Sequence, residues 1–192
     1  MAPVRVHTNG ETYNGTENQI YFDLYQFSSQ NISEKPLEEG LDHLKFEDVL
    51  QYVALPYMQL ERKPSSSKAI KKPLKPDSNG RSDMVFLFEF LRKKGVKRII
   101  RVIVDDTQKP AHSDEAIERA LGGLKVEIWD WRKPDLCIET IYTAAPDTRE
   151  VCLYWGGNNA VLRGWSEPGG LKLLTKLVKV HLHVEQVCPI HL

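Results

Sequence analysis

The stretch that most limits what this chain can become is Val96 to Asp114, VKRIIRVIVDDTQKPAHSD. Ile99, Ile100, Val102, Ile103 and Val104 form a nearly continuous β-branched run, the composition of a strand covered on both faces. The run ends in two adjacent carboxylates, Asp105 and Asp106, followed by a turn and by Ser113, placed to cap a helix over DEAIERAL that Gly122-Gly123 stops. Open parallel sheets bind ligands beyond the carboxyl ends of their strands, so this pair is the first candidate for chemistry.

The same plan recurs downstream. Val102, Val126, Val151 and Val180 are spaced by 24, 25 and 29 residues, a rhythm that fits βα units joined by right-handed crossovers. The expected strands are Val96–Asp106, Lys125–Trp131, Glu150–Trp155 and Val178–Val184. The expected helices are DMVFLFEFLRKKG, capped by Ser82 or Asp83 and stopped by Gly95; LCIETIYTAA, capped by Asp135; and a helix capped by Ser166 with LKLLTKL as its body. The predicted class is α/β, a mainly parallel sheet of about four βα units, although units this short also suit a solenoid-like array.

Upstream the signal is weaker. Residues 1–61 read as an N-terminal arm, partly disordered, with a short helix in LDHLKFEDVL and an extended YVALPYMQLE that Pro56 confines to an edge. Residues 62–82 are dense in Pro, Ser and Lys and read as a basic flexible linker. The α/β domain is then expected over 83–186, with 187–192 as a tail.

Lys and Arg total 26 against 26 Asp and Glu, so global charge favours no class of partner and only local clusters carry a signal. The opening residues lack the apolar core of a secretory signal and no run of 18 apolar residues occurs, which predicts a cytoplasmic protein with no membrane partner. Cys137, Cys152 and Cys188 share no metal-ligand spacing and read as reduced thiols. His181 and His183 share a strand face and read as packed or solvated imidazoles. No metal site and no cofactor are expected.

Parallel strands would gather Asp105, Asp106, His112, Asp130, Trp131, Arg132, Trp155, Gly156, Gly157, Asn158 and Asn159 along one rim. The carboxylate pair there suits magnesium, a guanidinium gripped through charge-assisted bonds, or a general base whose neighbour raises its pKa. Adjacent residues on a strand point to opposite faces, so both reach one ligand only if the strand has already ended.

The blocks VKRIIRVIVDD, HSDEAIERAL, VEIWDWRKPDLC, LYWGGNNAVLRGWSEPGGL and VHLHV resemble a fungal domain that precedes the catalytic domain of intracellular subtilisin-like serine proteases. The resemblance covers about Asp83 to Glu185 and implies a non-catalytic interaction or regulatory module. The protease Asp, His and Ser are not among these residues, so proteolysis is not expected of them. Asp105-Asp106-Thr107-Gln108-Lys109 is also similar to the Asp-Asp-x-x-Glu motif of fungal arginine-containing cyclodipeptide synthases, with Lys109 in place of the glutamate. That similarity implies a tRNA-dependent synthase joining arginine to a second amino acid. Asp105 and Asp106 would then be catalytic, and Asp130, Trp155, Asn158, Asn159 and Arg163 would bind substrate. Aminoacyl-tRNA would meet Arg62, Lys63, Lys68, Lys71, Lys72 and Lys75, together with Arg92, Lys93 and Lys94, because clustered cations release counterions from phosphate backbones. The two resemblances leave two expectations, the synthase and the interaction module.

Overall fold

A computed structural model describes residues 18–25, 31–61 and 80–184. Its central element is the run that the sequence singles out: β5 (Arg98–Val104) pairs with β3 (Val49–Leu55) on one side and β6 (Lys125–Trp131) on the other, both parallel. Outward from these lie β1 (Tyr21–Asp23) beyond β3, and β7 (Glu150–Trp155) and β8 (Lys179–Val184) beyond β6. The six strands stand in the order β1-β3-β5-β6-β7-β8, all parallel. Two short strands, β2 (Asn31–Ser33) and β4 (Gln59–Glu61), make a separate parallel pair.

The strands of the large sheet follow one another in space as in sequence. With right-handed crossovers, that order puts every connecting helix on the same side of the sheet. The helices α1 (Glu34–Leu41), α2 (Asp83–Lys93), α3 (Asp114–Leu121), α4 (Ile138–Ala144) and α5 (Asn159–Ser166) supply these crossovers, and α2 packs on α3 and α3 on α4. Beneath them Val102, Val104, Trp129, Trp131, Val151 and Leu153 are almost fully buried. The opposite face carries Tyr52, Arg101, Ile103, Ile128, Asp130, Glu150 and Tyr154, which are half-buried or exposed, and the small residues Ala54 and Cys152, which are buried among them. Burial runs in step across three strands: Leu50, Val53 and Leu55 align with Ile99, Val102 and Val104 and with Val126, Trp129 and Trp131. The three-residue step falls at Gln51, Ile100 and Glu127, the one level where these ladders are not paired.

Several elements depart from the sequence expectation. The sheet has six strands, and two of them come from before residue 62. Pro56 does not confine YVALPYMQLE to an edge, because β3 stops at Leu55 and leaves its amide ladder intact. Of LDHLKFEDVL only Leu41 is helical; it ends α1, which precedes the rest and buries Leu37 and Leu41. Gly80 to Ser82, expected in the linker, are built into the body. The Arg81 amide donates to Ala111 and the Arg81 carbonyl accepts from Ser113, while residues 62–79 lie outside the described residues. Cys137, not Asp135, stands at the N-cap of α4. The last helix is NAVLRGWS, capped by Asn158, and LKLLTKL contributes only a 3-10 turn at Leu171–Leu173. The predicted bounds of β6 and β7 and the Ser113 cap match the structure.

Candidate functional site

The end of β5 decides what the carboxylate pair can do. Strand geometry persists one residue past Val104, since the Asp105 amide donates to Leu55, and the side chains of Asp105 and Asp106 therefore diverge. Asp106 turns under the helices and is fully buried. Its Oδ1 and Oδ2 each lie 3.1 Å from the His112 amide nitrogen, Oδ1 is 2.8 Å from His112 Nδ1, and Oδ2 accepts from Trp131 Nε1 at 2.9 Å. His112, itself buried, accepts at Nε2 from the Met84 amide at 3.4 Å, so its proton sits on Nδ1 and points at Asp106. The network ties β5 to β6, to the loop before α3 and to the start of α2. A buried carboxylate surrounded by N–H donors is a satisfied structural group.

Asp105 goes the other way and is half-buried. Its Oδ1 accepts from the Thr107 hydroxyl at 2.8 Å and more weakly from the Thr107 amide at 3.3 Å, a local turn bond. On the open face nearby, Tyr154 donates to Asp130 Oδ1 at 2.6 Å and Arg132 Nε lies 3.6 Å from the same oxygen. Partial burial, then the bond to Asp130 and its charge, push the Tyr154 phenol well above its ordinary value. Tyr25 is pushed up as well, first by burial, with Arg132 opposing and the charges of Asp105, Asp130 and Asp23 adding. These groups surround the upper part of the open face, where β6 and β7 part company after Trp129 and Val151 and meet again only at Pro134 and Tyr154.

The remaining expected substrate contacts build the start of α5. Trp155 Nε1 donates to the Asn158 carbonyl at 2.9 Å, the Asn158 side chain accepts from the Ala160 amide at 3.0 Å, and the Gly156 amide donates to Asp135 Oδ1 at 2.8 Å. Asn159 and Arg163 are exposed on the helix that follows. Asp130 stands apart from this group on the open face, and Asp106 is out of reach beneath the helices. A cavity of about 320 Å³ lies on the helix side, lined in part by Leu136, Cys137, Glu139, Val161 and Trp165, and contains none of the expected residues.

Of the cations assigned to tRNA, Arg62 to Lys75 lie outside the described residues. Arg92 closes the C-terminus of α3 by donating to the carbonyls of Ala120 at 2.7 Å and Gly122 at 3.1 Å. Lys94 bonds the Asp42 carbonyl and carboxylate, and Lys93 lies 3.9 Å from Glu38 in an exposed pair. Among the described residues no group of three or more His, Cys, Asp or Glu is arranged to hold a metal, and no helix is long and apolar enough to cross a membrane.

The feature that the rim-centred reading passes over is the last strand. Val178 is 74 % exposed, Val180 40 %, Leu182 49 % and Val184 55 %, although the in-register Val151 and Leu153 of β7 are buried. The signal is present in VKVHLHV as strict alternation, the pattern of a half-covered strand, where β5 reads as a continuous apolar run. Compared with protein-family models, with curated proteins and with solved structures, the chain matches none.

Proposed function

We propose that this chain is a non-catalytic interaction module that recognises another protein. The observation that carries the reading is the burial of Asp106: its two oxygens are held by His112 and Trp131, and the strand-end pair does not converge on one ligand. Trp155, Asn158 and Asp135 likewise spend their polar groups on local backbone, that of Asn158, Ala160 and Gly156 respectively. What stays unused is surface: a sheet whose strand order, with right-handed crossovers, puts the described helices on one side, and a final strand whose apolar side chains are exposed. Exposed apolar patches of this kind mark interaction sites.

One observation favours a second reading, the tRNA-dependent cyclodipeptide synthase. Asp105, Asp130 and Asp23 all act on Tyr25, so three carboxylates share one part of the open face, and carboxylates suit arginine's guanidinium. In that reading Asp105 and Asp130 hold arginine and Asp106 keeps the frame.

Small-molecule mass spectrometry of cells expressing the chain, and of the purified chain supplied with charged tRNAs, separates the two. The interaction reading expects no arginine-containing diketopiperazine, and a protein partner captured equally by the intact chain and by Asp105→Ala. A diketopiperazine made by the intact chain and lost in Asp105→Ala overturns it and establishes the synthase.

A further inference from the structure

We infer that the outer edge of β8 receives an extended segment of another protein whose side chains alternate between apolar and acidic. The inference rests on the interaction reading and names the surface and the chemistry of the partner. β8 pairs with β7 along all of Glu150–Trp155, and among the described residues no strand lies on its other side. Its outward N–H and C=O groups form a row that an added strand satisfies. The opposite edge differs: β1 is only Tyr21–Asp23, and shortness is itself a protection against unwanted pairing. β8 spans Lys179–Val184 with no proline.

The side chains specify what the segment must carry. On the helix side Val180, Leu182 and Val184 are exposed, while their counterparts one strand inward, Val151, Leu153 and Trp155, are buried, buried and half-buried, so the incoming strand needs apolar residues at alternate positions. On the open side stand Lys179, His181 and His183. β7 already shows what satisfies them: Glu150 is in register with Lys179 and lies 3.5 Å from His181 Nε2, and the Tyr154 ring stacks on His183 with centroids 4.6 Å apart. A strand on the outer edge meets the same basic row from the other side and gains by carrying acids opposite it. A second copy of the chain is a poorer occupant. An antiparallel β8–β8 pairing that faces its apolar residues together also sets the histidines, or Lys179 and a histidine, against each other.

The test uses the full chain and a labelled, end-capped peptide of alternating valine and glutamate, beside the same peptide with lysine for glutamate. Fluorescence anisotropy is expected to show the glutamate peptide binding about tenfold or more tightly than the lysine peptide. Hydrogen exchange should show new protection at the amides of β8. Leu182→Asp, at an exposed position, abolishes binding, and Lys179→Glu reverses the preference between the peptides. Binding of neither peptide, equal binding of both, or a dimer in sedimentation that Leu182→Asp dissociates overturns the inference. A natural partner captured equally by the intact chain and by Leu182→Asp overturns the edge alone and leaves the interaction reading standing. A diketopiperazine product overturns that reading itself.

Discussion

The middle of the sheet and its last strand are made from similar residues and end in opposite states. β5 and β6 bury Val102, Val104, Trp129 and Trp131 under α2, α3 and α4, and their strand ends are locked by the Asp106–His112–Trp131 network. β8 carries Val180 and Leu182 in register with the buried Val151 and Leu153, and Val184 in register with the half-buried Trp155, and leaves all three open. Position in the winding, and not composition, separates the two. An interior strand has a neighbour on each side and helices above, whereas α5 is the last helix and buries only Trp165. Burial at the centre makes polar groups structural; exposure at the edge leaves apolar groups uncovered.

That contrast can be broken by substitution, beginning where the effect is greatest. Asp106→Ala leaves the His112 amide, His112 Nδ1 and Trp131 Nε1 without an acceptor in the core, and three unsatisfied buried donors are expected to cost about 3–5 kcal/mol in urea unfolding. Asp105→Ala should stay within about 0.5 kcal/mol, and equal losses at the two positions would show that the pair acts as one unit. Trp131→Phe keeps the aromatic packing but removes one donor to Asp106, for an expected loss of about 1–3 kcal/mol by the same measurement. Between centre and edge, burial first, and then the charge of Asp130, push the Cys152 thiol up to about 11, with Arg101 opposing. The folded chain therefore keeps this proton to higher pH than the unfolded chain, whose ordinary thiol value is 9.0. Stability attributable to Cys152 falls as pH rises from there toward about 11, and Cys152→Ala should flatten that part of a pH–stability profile. At the edge itself, Leu182→Asp should alter unfolding stability by no more than about 0.5 kcal/mol; a larger loss would mean that β8 is covered in the free chain.

The sequence made the α/β class readable because β-branched runs and helix caps recur at a nearly constant spacing. The bounds of β6 and β7 and the Ser113 cap were visible for that reason. The sequence points β3 to an edge because Pro56 lies inside the apparent run, whereas the strand ends one residue earlier, at Leu55. Leucine content points to LKLLTKL for the last helix, whereas the helix forms behind Asn158, which has the cap; the capping bond and Trp165 burial outweigh leucine content there. At the candidate site, sequence put Asp105 and Asp106 together at a strand end but could not show that the pleat continues past Val104 and sends them to opposite sides. The open face was not legible, because it depends on the spatial order of the strands.

The partial pairing of β6 with β7 also bears on how the molecule comes apart. These strands are in register only at Ile128–Glu150 and Trp129–Val151, while β7 and β8 pair along their whole length. A singly wound sheet couples each unit mainly to its neighbours, so the thinnest seam sets the boundary of cooperative opening. β7, α5 and β8 are therefore expected to exchange their amide hydrogens by subglobal opening, at a lower free energy than β3, β5 and β6, in a native-state hydrogen-exchange measurement. A strand added at β8 would raise the protection of that whole segment and leave the slowest amides of the centre unchanged.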